Sequence, residues 1–177
     1  PYDVVLKKVD AAVIAGASAT VPTFSEMTET RYALLTALYG WLEDNGIKPQ
    51  LPELALYHAL EYKETEIQLE QATAVDPALL GKYATDAPVS IRLLPAAPLV
   101  AALVHNGPFW GVPRAIVALF DWLGRHGYAS AGSIREYHLF GRELSLDYPD
   151  TPGARAVDAT DPHITVELQL PIELSPL

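Results

Sequence analysis

Two stretches of the chain repeat the hydrophobic pattern of one amphipathic helix. Ala33–Gly46 and Arg114–Gly127 align without a gap at an offset of 81 residues (122 − 41 = 81), with apolar side chains at three- and four-residue spacing. The identical positions are Ala37, Leu38, Trp41, Leu42 and Gly46 in the first stretch and Ala118, Leu119, Trp122, Leu123 and Gly127 in the second. Both glycines stand where a left-handed residue ends a helix, and Pro113 suits a first helical turn. The pattern therefore predicts two related helices.

Strand-like segments flank both helices in the same order. One long segment precedes each helix, at an offset of 85 residues (91 − 6 = 85), and two shorter segments follow it. The pairs, first copy before second, are Leu6–Ala15 with Ile91–Val100, Leu54–His58 with Arg135–His138, and Thr65–Leu69 with Val166–Leu170.

These repeats predict an α+β fold in which a β-α-β-β unit is written twice with pseudo-two-fold symmetry. The chain, 1–177, is expected to be a single domain of two repeats, about 1–80 and 88–177, joined by the linker Pro77–Pro88. The second repeat carries a longer, turn-rich loop at Gly141–Pro162. Pooled strands would form one antiparallel sheet with the two main helices on one face. The seam between the halves is then the expected ligand cleft.

Composition narrows the function classes. Half of the residues are hydrophobic, which suffices for a sizeable core, and no uncharged apolar run approaches the ~18 residues of a membrane span. The net charge of −10 disfavours direct binding of nucleic acid and mildly favours cationic partners, although solubility alone would also explain it. The chain has no secretion signal, so the cytoplasm is the expected location. It also has no initiator methionine, which suggests a domain excised from a longer protein.

Most catalytic and cofactor motifs are missing from the sequence. There is no GxxxxGK[ST] loop, no GxSxG elbow and no cysteine. The histidines form no HExxH or His-x-His pair, so neither a metal nor another cofactor is predicted. They are His58, His105, His126, His138 and His163. A Ser-His-Asp triad stays open on sequence grounds.

The strand at Ser133–Phe140 carries the most informative charges. Alternation puts Glu136 and His138 on one face and Arg135 on the other. A carboxylate among aromatic neighbours could attract a cation or act as a general acid or base. Alternatively, Glu136 could lie on an exposed edge, paired with Arg135.

Three aromatic residues could complete such a site. Tyr57 lies in the corresponding first-half strand, and Phe109 and Trp110 lie just ahead of the second helix. Aromatic walls around one anion suit a lipophilic cation, while ordinary core packing is the alternative for each ring.

Four segments in chain order carry a family resemblance. Arg135–Leu139 and Val166–Ile172 are similar to Arg-Glu-Val-Tyr-Leu and Thr-Glu-Ile-Gln-Leu-Pro-Val strands, and His105–Phe109 to a His-x-Gly-Pro-Tyr segment before the second helix. Tyr2–Val9 is similar to the matching first strand. Together they resemble the gyrase-inhibitor-like (GyrI-like) effector-binding domains found at the C-termini of MerR-type, multidrug-sensing transcription regulators.

The resemblance implies a ligand held between the pseudo-symmetric halves. In the family's multidrug sensors, a buried glutamate on this strand meets cationic aromatic drugs, and its position corresponds to Glu136. The implied ligand-binding residues are Glu136, His138, Tyr57, Phe109 and Trp110, and no catalytic residue is assigned. His138 and Phe109 stand where the family often has tyrosine. The family pattern pairs Tyr57 with His138, whereas residue identity pairs it with Tyr137. These registers put opposite faces toward the cleft, and we adopt the family register, with Glu136 facing inward.

The function expected from this resemblance is a sensor domain for a hydrophobic, cationic or aromatic small molecule. DNA would be contacted only through an N-terminal region absent from this chain, and a homodimer formed through the full-length protein is compatible with this reading. The alternatives are a GyrI-like hydrolase of strained electrophiles that uses the same glutamate, and a stand-alone protein that sequesters toxins.

Overall fold

The computed structural model describes residues 2–144 and 163–176, which form nine β-strands and two α-helices. In chain order they are β1 (Val5–Val9), β2 (Ala12–Thr23), α1 (Met27–Asp44), β3 (Gln50–Tyr57), β4 (Thr65–Ala74), β5 (Ser90–Leu94), β6 (Ala97–Pro108), α2 (Val112–His126), β7 (Tyr128–Ser130), β8 (Ile134–His138) and β9 (His163–Leu174). Most of the loop predicted at Gly141–Pro162 lies outside the described residues. Neither of these helices is both long and apolar enough to cross a membrane.

Both predicted helices form, and their glycine ends are confirmed. Gly46 and Gly127 have φ values of 65° and 76°, in the left-handed region where glycine is favoured. Pro113 lies in the first turn of α2, where its missing N–H is not needed.

The strands form one antiparallel sheet with the order β1-β6-β9-β8-β3-β4-β2-β5, and β7 pairs with the end of β9. The central pair, β3 and β8, joins the two halves. Their register sets Ala55 opposite Glu136 and Tyr57 opposite Ile134. The fold class predicted from the repeats is therefore confirmed.

The prediction of one long strand before each helix is corrected by the structure. The chain divides at Asp10–Ala11 into β1 and β2, and at Pro95–Ala96 into β5 and β6. Pro95 has no N–H for a sheet ladder, which favours a break there. After each break the chain changes neighbours: β1 pairs with β6 of the second half, and β5 pairs with β2 of the first. The leading strand of each repeat is thus held by the other repeat.

Each helix covers its own core on one face of the sheet. The first core lies beneath α1 and includes Leu35, Leu38 and Leu42, while the second lies beneath α2 and includes Leu119 and Leu123. Fully burying one such leucine stabilises the fold by about 1.5–3 kcal/mol. Tyr57, half-buried on β3, packs against both cores. The seam between the halves therefore lies beside Tyr57.

Candidate functional site: a cavity between the two halves

A cavity of about 570 Å³ opens at the seam. It is bounded by the start of α1, the turn before α2, the loop that follows β3, and strand β8. Its walls are mainly apolar and contain the aromatic residues Phe24, Tyr32, Tyr57, Tyr62, Phe109, Trp110 and Phe140. A volume and lining of this kind suit a drug-sized molecule.

All five residues proposed from the sequence line this cavity: Glu136, His138, Tyr57, Phe109 and Trp110. Strand alternation explains the placement of the first three. Because Tyr57 is opposite Ile134, it shares a face with Glu136 and His138 two and four residues further along β8. Arg135 lies on the other face, where its Nη2 donates to the carbonyl of Pro95 at 2.9 Å. The charged neighbours in β8 therefore have separate roles.

Glu136 is buried, with 2% of its surface exposed, and it accepts hydrogen bonds from three groups. The Tyr57 hydroxyl donates to Oε1 at 2.9 Å, and Arg31 Nη2 and His138 Nε2 donate to Oε2 at 2.7 and 2.8 Å. Burial by itself would raise the pKa of Glu136. The positive charge of Arg31 and the bond from His138 outweigh burial and lower that pKa to about 2. The carboxyl group is therefore ionised at neutral pH.

Arg31 is a site residue that the sequence interpretation missed. Besides Glu136, its guanidinium contacts both oxygens of Glu143 at 2.5–3.1 Å and donates to the Tyr57 hydroxyl at 2.8 Å. Burial acts to lower the pKa of Arg31, but the two carboxylates raise it well above its usual value. A signal for this residue exists in the sequence, because Arg31 lies three and four positions before Leu34 and Leu35 of the apolar stripe.

His138 is a buried cation between two carboxylates. Its Nδ1 donates to Glu53 Oε1 at 2.6 Å while its Nε2 donates to Glu136 Oε2. Carboxylates only accept hydrogen bonds, so both ring nitrogens are protonated. Burial tends to lower the pKa of His138, but the bonds to Glu136 and Glu53 raise it to about 10. The imidazolium is thus fixed in position and charge.

The network continues into the first half through the segment after β8. Glu53 Oε1 accepts the backbone N–H of Glu143 at 2.8 Å, and Glu53 Oε2 accepts from the Tyr39 hydroxyl. Arg142, 1% exposed, donates to the Tyr39 hydroxyl at 2.6 Å and to Thr73 at 3.1 Å. The network contains three carboxylates, Glu53, Glu136 and Glu143, and three cations, Arg31, His138 and Arg142. Its formal charges cancel.

The His105–Phe109 segment holds two aromatic rings at the cavity. Since the Pro108 carbonyl only accepts, His105 Nε2 donates to it at 2.8 Å, and Nδ1 accepts from the Tyr2 hydroxyl at 2.8 Å. A Cβ at Gly111 would lie 2.7 Å from His105 Cε1, so the turn requires glycine there. The turn presents Trp110, which is 64% exposed.

One group of side chains has the spacing of a metal site. Ligand atoms of Glu136, His138 and Glu143 lie within 4.8 Å of one another. However, the guanidinium of Arg31 donates to both carboxylates, and both nitrogens of His138 are protonated. An imidazolium cannot ligate a metal. This arrangement therefore fits an internal cation better than a metal ion.

A second polar cluster lies at the rim, beyond the end of β3. His58 bonds Ser133 Oγ through Nδ1 at 2.7 Å and Glu70 Oε1 through Nε2 at 2.8 Å, and Arg92 donates to Glu70 at 2.6 Å. The order of residues resembles that of a serine triad. Ser133, however, is not among the residues lining the cavity, and Glu70 is already paired with Arg92. We therefore interpret the cluster as a polar link between strands of the two halves.

Comparisons with known proteins identify the fold. No family model matches the chain, and neither does any curated protein sequence. Among solved structures, the EcmrR C-terminal domain is similar, with a TM-score of 0.71 and 22% identity over 98% of both chains. The EcmrR chain in a complex with DNA gives a TM-score of 0.74 at 22% identity; the match covers 98% of this chain but 58% of that one.

More distant structures share the fold. A hydrolase from Listeria innocua gives a TM-score of 0.54 at 11% identity, over 96% of this chain and 91% of that one. SAV2435 bound to tetraphenylphosphonium gives 0.51 at 11% identity, over 98% and 94%. The chain has the fold of the GyrI-like effector-binding domains.

Proposed function

We propose that this domain binds a hydrophobic aromatic small molecule in the cavity between its halves, as the effector-binding domain of a transcription regulator. The observation that carries the proposal is the cavity itself, about 570 Å³ of mainly apolar and aromatic wall around one buried carboxylate. Burial of apolar surface would supply most of the affinity, and stacking on rings such as Trp110 would orient the ligand.

The regulatory part of the proposal rests on the likeness to EcmrR. The EcmrR chain that is similar to this one was solved in complex with DNA, and this chain spans 58% of its length. With a net charge of −10, the present chain is poorly suited to contact phosphates itself. DNA binding would therefore belong to a separate region of a longer protein. The ligand would act by favouring one arrangement of that protein over another.

A binding role fits the site better than hydrolysis. A general base works best when its pKa lies near the working pH. Glu136, with a pKa of about 2, would be a weak base, and its oxygens are already engaged by Tyr57, Arg31 and His138. Activation of a water molecule by this carboxylate is therefore unfavourable.

Two substitutions in α1 test whether the cavity is the binding site. Thr28 and Thr36 are both exposed on this helix, but only Thr28 lines the cavity. In a thermal-shift screen of aromatic compounds, a ligand of the native state raises the melting temperature. We expect this rise in the wild type and in Thr36→Trp, but not in Thr28→Trp, whose indole would fill the cavity mouth. Equal shifts in both variants would place the ligand elsewhere.

A further inference from the structure

The carboxylate that faces the cavity already has a cation beside it. Arg31 Nη2 lies 2.7 Å from Glu136 Oε2 and 2.5 Å from Glu143 Oε1, and 13% of the Arg31 side chain is exposed. Arg31 itself lines the cavity. A cationic ligand approaching Glu136 from the cavity would thus meet the guanidinium where its own charge should go.

Arg31 also satisfies more acceptors than most ligand cations could. Its guanidinium donates to the Tyr57 hydroxyl, to Glu136 Oε2 and to both oxygens of Glu143. A quaternary phosphonium or ammonium has no N–H to donate. If such an ion displaced Arg31, these largely buried acceptors would lose their donor, which is more unfavourable than leaving the bonds intact.

The charge balance of the network points the same way. Three carboxylates and three cations cancel, so an added cation or anion in the cavity would be a net buried charge. An uncharged aromatic ligand adds no charge and leaves the bonds of Arg31 in place. The aromatic walls and the neutral network are therefore compatible only with a restricted class of ligand.

We propose that Arg31 is the residue that determines specificity, serving as a resident counter-ion of Glu136 that excludes hydrophobic cations and restricts the cavity to uncharged aromatic ligands. This inference rests on the proposed function, because it assumes that aromatic molecules enter the cavity. It assigns to α1 the choice of ligand charge, which the carboxylate on β8 would otherwise make.

Three aromatic probes of similar shape separate charge from size. Tetraphenylphosphonium is a cation, tetraphenylborate is an anion and triphenylphosphine oxide is neutral, and their dissociation constants can be measured by calorimetry. The wild type should bind the neutral probe more tightly than either ion. Arg31→Gln leaves the network with one excess negative charge and should bind tetraphenylphosphonium at least about tenfold more tightly than the wild type.

Two further variants test the charge balance. Arg31→Gln/Glu143→Gln removes one charge of each sign, so its affinity for tetraphenylphosphonium should return toward the wild-type value. Arg114→Gln alters an exposed arginine of α2 outside the cavity and should change no affinity. Should Arg31→Gln not fold, Arg31→Lys takes its place. Lysine keeps the charge but loses the planar fork, so the phosphonium should displace it more easily than it displaces arginine.

The outcomes distinguish this inference from the function on which it rests. If the wild type binds tetraphenylphosphonium as tightly as Arg31→Gln or Arg31→Lys, Arg31 does not set specificity, while the cavity keeps its binding role. If the neutral probe binds and the double variant behaves like the single one, charge balance is not the cause and the inference is overturned. If no probe binds any of these proteins, the proposed function fails and the inference fails with it.

Discussion

Glu136 illustrates how neighbours override burial at a single residue. A carboxyl group that is 2% exposed would ordinarily favour its neutral form. Here Arg31, His138 and Tyr57 supply donors to both of its oxygens, so the charged form prevails. His138 shows the converse, because two carboxylates keep a buried imidazole positively charged. Breaking one buried partner of such a pair typically costs about 3–5 kcal/mol.

The pH dependence of stability should follow from these two groups. The pKa of His138 rises on folding from 6.5 to about 10, so its contribution is complete below pH 6.5 and is lost as pH rises to 10. The pKa of Glu136 falls from 4.5 to about 2, so its contribution is complete above pH 4.5 and is lost as pH falls to 2. We expect the free energy of unfolding, measured in urea, to be highest between pH 4.5 and 6.5.

His138→Gln should lower this free energy and remove the decline between pH 6.5 and 10 that comes from His138. His126→Gln, at an exposed position in α2, is the matched control and should keep the decline. A decline of the same size in His138→Gln would show that another group causes it.

How far the sequence reveals these residues depends on periodicity. Alternation along β8 separates Glu136 from Arg135, but a choice of register is needed to decide which one meets the cavity. Arg31 was detectable as a charge on an apolar helical stripe, and Glu53 as a charge two residues from Ala55 on the face of Tyr57. Arg142 and Glu143 carry no such pattern, since packing against Tyr39 and β3, over 90 residues away in the chain for Glu53, determines their positions.

Among the secondary-structure elements, the two helices differ in a way that reconciles the two repeat offsets. The helices begin 85 residues apart (112 − 27 = 85), as do their preceding strands, yet their tryptophans are 81 apart. The difference of four residues is about one helical turn. Consistently, α1 has 18 residues and α2 has 15. The extra turn of α1 lies before Trp41, in the same part of the helix as Arg31.

The turn before α2 provides a test of an element that shapes the site. Gly111→Ala would bring a Cβ to 2.7 Å from His105 and should displace the turn that carries Phe109 and Trp110. We expect lower affinity for an aromatic ligand together with a loss of stability. Gly124→Ala is the control, because its Cβ meets nothing within 4 Å, and it should stabilise α2 by about 0.5–1 kcal/mol. Calorimetric binding and urea denaturation measure both effects. Unchanged affinity in Gly111→Ala would mean that this turn does not position the ligand.

Across the whole molecule, the exchanged strands β1 and β5 tie the repeats together. Each is an edge strand of the other half, and β3 pairs with β8 at the centre. The repeats could be recognised from the sequence because their helices and strands keep local patterns. The exchange could not, because pairing partners depend on contacts between distant segments rather than on local periodicity.

This interlocking predicts that the halves unfold together. Urea denaturation followed by far-ultraviolet circular dichroism and by tryptophan fluorescence should give coincident single transitions. Trp41 lies in the first half and Trp122 in the second, so variants that keep only one of them report on each half separately. Distinct midpoints for these two variants would show that the halves are independent.

The central claim is that an aromatic ligand occupies the cavity beside Trp110, and fluorescence can test it directly. A protein with Trp110 as its sole tryptophan (Trp41→Phe/Trp122→Phe) is titrated with a ligand found in the thermal screen, and one with Trp122 alone (Trp41→Phe/Trp110→Phe) is the control, since Trp122 does not line the cavity. We expect a saturable one-to-one change in Trp110 emission, with the affinity found by calorimetry, and little change in the control. Ligand binding that leaves Trp110 emission unaltered would contradict the account.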